Sequence, residues 1–256
     1  MSRTAAAPAR RRTWVIVALA ALMMFVVPMA TIGWLADAEP EIRVMLAGRE
    51  LSSLVIDGEQ RILVINTADR EAAGALLGRI AQPWEADPTT IVSGSEDLAA
   101  IGLWEALQRL EPRTVVVAGI PGADPLWAAI DAYCVQRRIE LHYIAERANL
   151  ATERLEITLF GELPESDSGS GLVIRRGDLN VVIALDEQPP DIDGQVLIHA
   201  GDPAPLIPDL FITSNVTPGP SRQHEVIVDE RERVTLLIEE HRVRVFDGTL
   251  RLPVDR

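Results

Sequence analysis

A chain of 256 residues, 48% hydrophobic and 24% charged, has the balance of a folded protein and excludes an intrinsically disordered one. Every basic residue is arginine, and four of the 24 (Arg3, Arg10, Arg11, Arg12) precede the first acid, Asp37; the rest of the chain sets 20 arginines against 38 acids, a balance of -18. A surface of that sign repels phosphate backbones and disfavours general nucleic-acid binding, and the single cysteine, Cys134, excludes an internal disulfide and a cysteine-based zinc site.

Residues 1–12 form a small basic tail. Residues 13–36 contain the uncharged run from Trp14 to Leu35, WVIVALAALMMFVVPMATIGWL. A bilayer core asks for about 20 apolar residues in a helix. An indole stands near each end, Trp14 and Trp34, where interfacial aromatics belong, and a membrane helix tolerates the one Pro28. The expectation is a single-pass helix in the cytoplasmic membrane, with the arginines inside and a domain of residues 37–256 outside. The rival is a cleaved signal peptide with Ala36-Asp37-Ala38 as its A-x-A site. The apolar run exceeds the roughly 7–15 residues of a signal core, so the anchor is preferred.

Beyond Pro40 the pattern turns to short strands: Ile42 to Leu46, Leu51 to Ile56, a hairpin turn at Asp57-Gly58, and Arg61 to Ile65. The spacing of Ala72, Ala73, Leu76, Leu77 and Ile80 predicts a helix over 69–80. A strand over 89–92 follows, then the polar loop Ser93-Gly94-Ser95-Glu96-Asp97 and a helix over 96–110 that Pro112 ends. Thr114 to Ala118 is an apolar strand of the kind covered on both faces. Asp124 as N-cap and Pro125 at the first helical position open a helix to Arg138, and Ile139 to Ile144 returns as a strand. Alternation of strand and helix says α/β.

From Leu155 strands dominate: Leu155 to Phe160, a hairpin of Leu172 to Arg175 and Leu179 to Leu185 through Arg176-Gly177-Asp178, then Val196 to His199, Leu210 to Thr213, Glu225 to Val228, Val234 to Glu239 and Val243 to Phe246. No internal repeat and no linker composition divides the region, so one domain of two packed sheets is the economical architecture.

The candidate chemistry is sparse. Glu96, Asp97 and Asp202 could offer oxygens to one divalent cation, with His199 as a lone imidazole near Asp202. The bland alternative puts Glu96 and Asp97 in the first turn of a helix capped by Ser93 or Ser95, and His199 in the core. His142, His224 and His241 have no ligand at useful spacing and read as surface or rim; Cys134 reads as a buried hydrophobe. Arg137-Arg138 and Arg175-Arg176 read as solvated ends of a helix and a hairpin. No glycine-rich phosphate loop, dinucleotide fingerprint or nucleophile elbow is present, and Ser52, Ser53 and Ser93 lack a placed base.

The order of segments resembles the metallo-β-lactamase fold, and within it the C-terminal extracytoplasmic domain of ComEC-type competence (DNA internalisation) proteins. Ile42 to Leu46 stands for that family's first strand, Gly48-Arg49-Glu50-Leu51 for its turn, and Leu54 to Gly58 for its second strand and turn. Leu63 to Ala68 stands for an L-I-D-T-G strand end, with Asn66 replacing the acid and Ala68 the glycine. Ser93 to Leu103 falls on the T-H-x-H-x-D-H metal motif and the I-G-G-L helix start. Asn180 to Leu185, Val196 to Asp202 and Asp209 to Asn215 look like the later strands.

In that register the leading histidines fall on Gly94 and Glu96, the aspartate and third histidine on Leu98 and Ala99, and the later histidine on Ser214 or Asn215. Asp202 alone matches, at the bridging carboxylate. A two-metal site needs imidazoles and carboxylates converging on adjacent ions, so the resemblance implies an αββα sandwich with a vacated metal motif, no catalytic residue and no cofactor. The expected role is a structural or binding component anchored in the membrane, with an envelope protein as partner and a place near DNA uptake. The alternatives are a divergent hydrolase using Glu96, Asp97, Asp202 and His199, with a divalent cation as cofactor, and an exported domain that binds a small ligand without catalysis.

Overall fold

The computed structural model describes residues 39–47, 49–80, 87–161, 169–185, 196–200, 210–213, 225–227, 233–239 and 242–246. The apolar run with Trp14, Pro28 and Trp34 lies outside the described residues, as do Asp202, Ser214, His224 and His241. Among the described residues no helix is long and apolar enough to cross a membrane.

Strands β1 (Glu41–Ala47), β2 (Glu50–Asp57) and β3 (Gln60–Asn66) form an antiparallel meander. Asp57 pairs with Gln60, so the two-residue turn is Gly58-Glu59, one position later than the sequence suggests. Gly58 takes a left-handed φ of 60°, which a side chain resists. From β3 the sheet turns parallel through β4 (Thr90–Gly94), β5 (Thr114–Ala118) and β6 (Glu140–Ile144). These strands step across the sheet in one direction. Right-handed crossovers therefore place the intervening helices, α1 (Arg70–Ile80), α2 (Ala99–Arg109) and α3 (Pro125–Arg137), on one face.

Period-2 alternation sorts the side chains. Ile42, Val44, Val55, Ile62, Val64, Val92 and Val116 point to one face, and Met45, Leu54, Leu63, Ile65, Ile91, Val115 and Val117 to the other. The second set packs under Leu76, Ile80, Leu103, Leu107, Trp127, Ile130 and Cys134 of the helices. Each such buried side chain contributes about 1.5–3 kcal/mol.

The first set meets a second sheet. It contains β7 (Arg147–Ala151), β8 (Glu156–Phe160), β9 (Gly171–Arg176), β10 (Leu179–Ala184), β11 (Val196–Ile198), β12 (Leu210–Thr213) and β13 (Glu225–Ile227), in the order β13-β12-β11-β10-β9-β8-β7. Strands β10 to β13 run parallel and β7 to β10 antiparallel. The chain then returns to the first sheet as β14 (Val234–Ile238), beside β1, and β15 (Val243–Phe246). Leu155, Ile157, Leu159, Leu172, Ile174, Val181, Ile183 and Ile198 close the inter-sheet core. Two sheets with helices on one side give α, β and β layers among the described residues.

Three further expectations need correction. Strand β7 was not anticipated; its sequence, RANLA, has no alternation of its own and becomes a strand because it pairs antiparallel with β8. Arg176 is not a solvated hairpin end: its side chain is 13% exposed and donates to the Glu39 carboxylate and the Ile238 carbonyl, tying the β9–β10 hairpin to β14. The third concerns the start of α2 and belongs with the site.

A second polar contact joins the layers far from that site. Asp57, buried at the β2–β3 turn, accepts the amides of Arg154 (2.6 Å) and Leu155 (3.1 Å) and the Arg154 Nε (3.0 Å) from the segment between β7 and β8.

Candidate functional site

In α/β folds the loops beyond the carboxyl ends of parallel strands carry ligands. Here those loops are 67–69, 95–98 and 119–124. The β1–β2 turn joins the same rim, because β1 runs in the direction of β3; the Glu50 carboxylate accepts the Ala68 amide at 2.7 Å. Burial pushes the Glu50 carboxyl upward, the Ala68 amide opposes this, and the neighbouring Asp69 charge adds to the rise. Across the sandwich the Asn66 side-chain amide donates to the carbonyl of Leu185, the residue after β10. The carboxyl ends of both parallel blocks therefore open on one rim.

Three helices begin at this rim, and their free amides would ordinarily make it an anion site. At all three, first-turn amides are taken up by the chain itself. At α1, Asp69 Oδ1 accepts the amides of Glu71 (2.6 Å) and Ala72 (3.0 Å), and its carbonyl accepts Ala73 (2.9 Å). At α3, Asp124 Oδ1 accepts Leu126 (2.7 Å) and its carbonyl Trp127 (3.1 Å); Pro125 at the first position has no amide to satisfy.

At α2 the acceptors are carbonyls. Glu96 takes Ala99 (3.0 Å), Leu98 takes Ile101 (3.2 Å), and Thr67, from the neighbouring loop, takes Gly102 (3.1 Å). A phosphate or carboxylate ligand would find two of the three helix ends already holding a carboxylate and the third without a donor to give.

This geometry corrects the expected helix start. The helix begins at Ala99, not Glu96; Leu98 is the capping residue and no side chain caps it, so neither Ser93 nor Ser95 does. Glu96 and Asp97 precede the helix as exposed residues of a turn and are not in its first turn. The cause is Gly102. A Cβ there would fall 2.9 Å from the Thr67 carbonyl oxygen, so glycine lets α2 settle against the β3–α1 loop and draw its amide onto Thr67. That contact fixes where the helix can begin.

The motif positions are scattered by burial. Gly94 ends β4 and is buried; Leu98 is 59% exposed; Ala99 is buried at the start of α2. None of the three has a donor atom for a metal. Asp97 lies against Gly122 of the next loop. His199 follows β11 in the other sheet, buried, with its amide donating to the Ile212 carbonyl at 3.1 Å.

The exposed Glu96 and Asp97 and the buried His199 share the rim but sit on opposite sheets; Asp202 and Ser214 lie outside the described residues. No three His, Cys, Asp or Glu side chains gather to hold a metal among the described residues. Ser52, Ser53 and Ser93 are buried with no hydrogen-bond partner on their hydroxyls among the described residues, an arrangement without the base that activates a nucleophile.

Elsewhere, His142 is exposed on β6, 3.9 Å from Glu140, and Cys134 is buried in α3. Arg138 is the left-handed C-cap of α3, with φ 60°, and Arg137 stacks over the Tyr133 ring. The sequence reading missed the links that close the rim: Asn66 to Leu185, Glu50 to Ala68 and Thr67 to Gly102. The polar residue ending an apolar strand at Asn66 was the available signal.

No protein-family model matches the chain, and no curated protein matches it. Among solved structures the chain is similar to the metallo-β-lactamase fold protein YhfI from Bacillus subtilis, at 10% identity and a TM-score of 0.45, over 81% of this chain and 100% of that one. It is also similar to Rm3 metallo-β-lactamase, at 19% identity and a TM-score of 0.40, over 59% of this chain and 63% of that one.

Proposed function

We propose that the chain is a membrane-anchored extracytoplasmic domain of metallo-β-lactamase-like architecture with a vacated metal motif. It serves as a structural or binding component of the envelope, through a protein partner, beside a DNA-uptake machine of the competence type. What supports the loss of chemistry is the rim: in the register of the resemblance the ligand positions fall on Gly94, Glu96, Leu98 and Ala99, three of them without a donor side chain, and first-turn amides of α1, α2 and α3 are taken up by the chain itself. A zinc pair does not fit this donor set, since Gly94, Leu98 and Ala99 supply no nitrogen, oxygen or sulfur side chain and Glu96 supplies a single carboxylate. The uncharged run from Trp14 to Leu35 behind Arg10-Arg11-Arg12 supports the anchor, and the order of strands and helices supports the competence-protein likeness.

Two measurements test this. The full chain, supplied with zinc or manganese, is expected to hydrolyse neither single- nor double-stranded DNA, a simple phosphodiester, nor a β-lactam above the buffer rate. Turnover that disappears in Asp202→Ala would replace the reading with the divergent hydrolase. Membrane fractionation is expected to recover the intact chain in the membrane; a mature protein whose sequence starts at Glu39 would remove the anchor.

A further inference from the structure

The inter-sheet core loses bulk as it approaches the rim. Val64, Val92 and Val116 face the second sheet as one row of β3, β4 and β5. Two residues further on, alternation puts Asn66, Gly94 and Ala118 in the next row of the same face. The second sheet has a matching row. Leu185 follows β10, its amide donates to the Ser170 carbonyl at 3.0 Å, and the Ile183–Ile198 pairing carries it to Ala200 on the other side. Gly94, Ala118 and Ala200 bring at most one methyl group each into the space between.

Asn66 crosses that space. Its side-chain amide donates to the Leu185 carbonyl, a backbone group of the opposite sheet. Packed sheets ordinarily stand about 10 Å apart, with side chains from both filling the gap. Here one side chain closes it against main chain. The small neighbours permit this, because bulk at Gly94, Ala118 or Ala200 would hold the sheets apart.

The three residues after Asn66 each hold a different part of the rim. The Thr67 carbonyl accepts the Gly102 amide of α2 at 3.1 Å, the Ala68 amide donates to Glu50 of β2 at 2.7 Å, and Asp69 caps α1. Four consecutive residues therefore tie the second sheet, α2, the β1–β2 turn and α1 to one short segment. Of these four ties, that of Asn66 is the one that crosses to the other sheet.

We infer that Asn66 is a latch that holds the rim shut, and that segment 66–69 makes the rim open as one unit when the latch is released. The carboxyl ends of the two parallel blocks, where α/β sheets take ligands, are joined by the chain's own contact. A molecule entering between them first displaces the Asn66 amide from Leu185. The inference rests on this contact and not on the anchor, the partner or the metal reading, and its failure leaves those untouched.

Hydrogen exchange read by mass spectrometry tests this on the full chain in non-ionic detergent at pH 8. Asn66→Asp keeps the shape of the side chain and turns the donor into a second acceptor facing the Leu185 carbonyl. Peptides containing the Leu185, Ala68 and Gly102 amides are expected to exchange about tenfold faster, or more, than in the native chain. A peptide containing the Leu155 amide, which Asp57 holds far from the rim, is expected to keep its native rate, with circular dichroism unchanged. Asn66→Ala removes the donor without adding charge and should give the same pattern, which covers an aspartate chain that does not fold. Native exchange at Leu185 in either folded variant, or acceleration confined to Ala68, would overturn the latch. Acceleration at Leu185 without Gly102 would overturn the single unit. Equal acceleration at Leu155 would show general loosening in place of a released latch and would overturn the inference as well.

Discussion

Replacing Asp57 by alanine probes a contact that ties the two sheets together away from the rim. The side chain is 1% exposed and accepts two backbone amides and a guanidinium from the opposite sheet. Alanine strands the Arg154 amide in the interior, at about 1–3 kcal/mol. The Leu155 amide keeps the Thr152 hydroxyl at 3.1 Å and loses less. The Arg154 guanidinium is 26% exposed and contributes at most about 1 kcal/mol. The net expectation is a loss of about 2–4 kcal/mol, a large share of the roughly 5–15 kcal/mol of a typical domain.

Urea unfolding should report this loss as a lower midpoint at unchanged slope. Arg154→Ala, which spares the amides, should cost about 1 kcal/mol or less. The same contact predicts an acid limb. Burial pushes the Asp57 carboxyl up, but the Arg154 amide, the Thr152 hydroxyl and the Arg154 side chain outweigh it and hold the group below its ordinary range. A depressed carboxyl stabilises the fold above the unfolded value near pH 4 and loses that contribution as pH falls through the folded value. The acid limb should therefore flatten in the variant. A loss under about 1 kcal/mol for Asp57→Ala, or an equal loss for Arg154→Ala, would refute the backbone-clamp argument.

Three further outcomes follow from the same geometry. Glycine to alanine in an ordinary helix interior adds about 1 kcal/mol. At Gly102 the sign should invert, with a net loss of about 1–3 kcal/mol from the clash with Thr67, and a higher Tm for Gly102→Ala would contradict the packing described. Glu105 is buried on α2 between Arg70 (2.8 Å) and Arg109 (2.6 Å), whose exposed stems limit its worth; Glu105→Gln should cost about 1 kcal/mol in chemical denaturation, and no change would remove the α1–α2 bridge from the account. Burial, with a smaller push from Asp131, raises the Cys134 thiol to about 11, so a thiol reagent at pH 8 should leave the native chain unlabelled and react fully after denaturation; rapid native labelling would contradict the core placement.

The strands of the first sheet were legible because their alternation is strong and each face has its own core. Ile42, Val44 and Leu46 against Met45 is a pattern one residue cannot slip without exposing. Asp124-Pro125 announced α3 for local reasons, and the structure keeps them. The failures share a cause in partners distant along the chain. Strand β7 exists through β8, Arg176 is held by Glu39 and Ile238, and the start of α2 is set by Thr67, a residue on another loop. The loop 93–97 read as a serine cap with acids in the first helical turn, which is what local propensity favours. What it lacked was the knowledge that Gly102 would bring the helix down on Thr67. In the loop 93–97 the absence of imidazoles was plain in the sequence, whereas the internal use of helix amides needed coordinates.

The central claim is that the rim no longer holds a metal. Elemental analysis of the full chain, purified without chelator after growth with added zinc and manganese, tests it most directly. The account predicts far less than one ion per chain, unchanged in Glu96→Ala and Asp202→Ala. About one or more ions per chain, lost in either variant, would show a working site where this account places a vacated one.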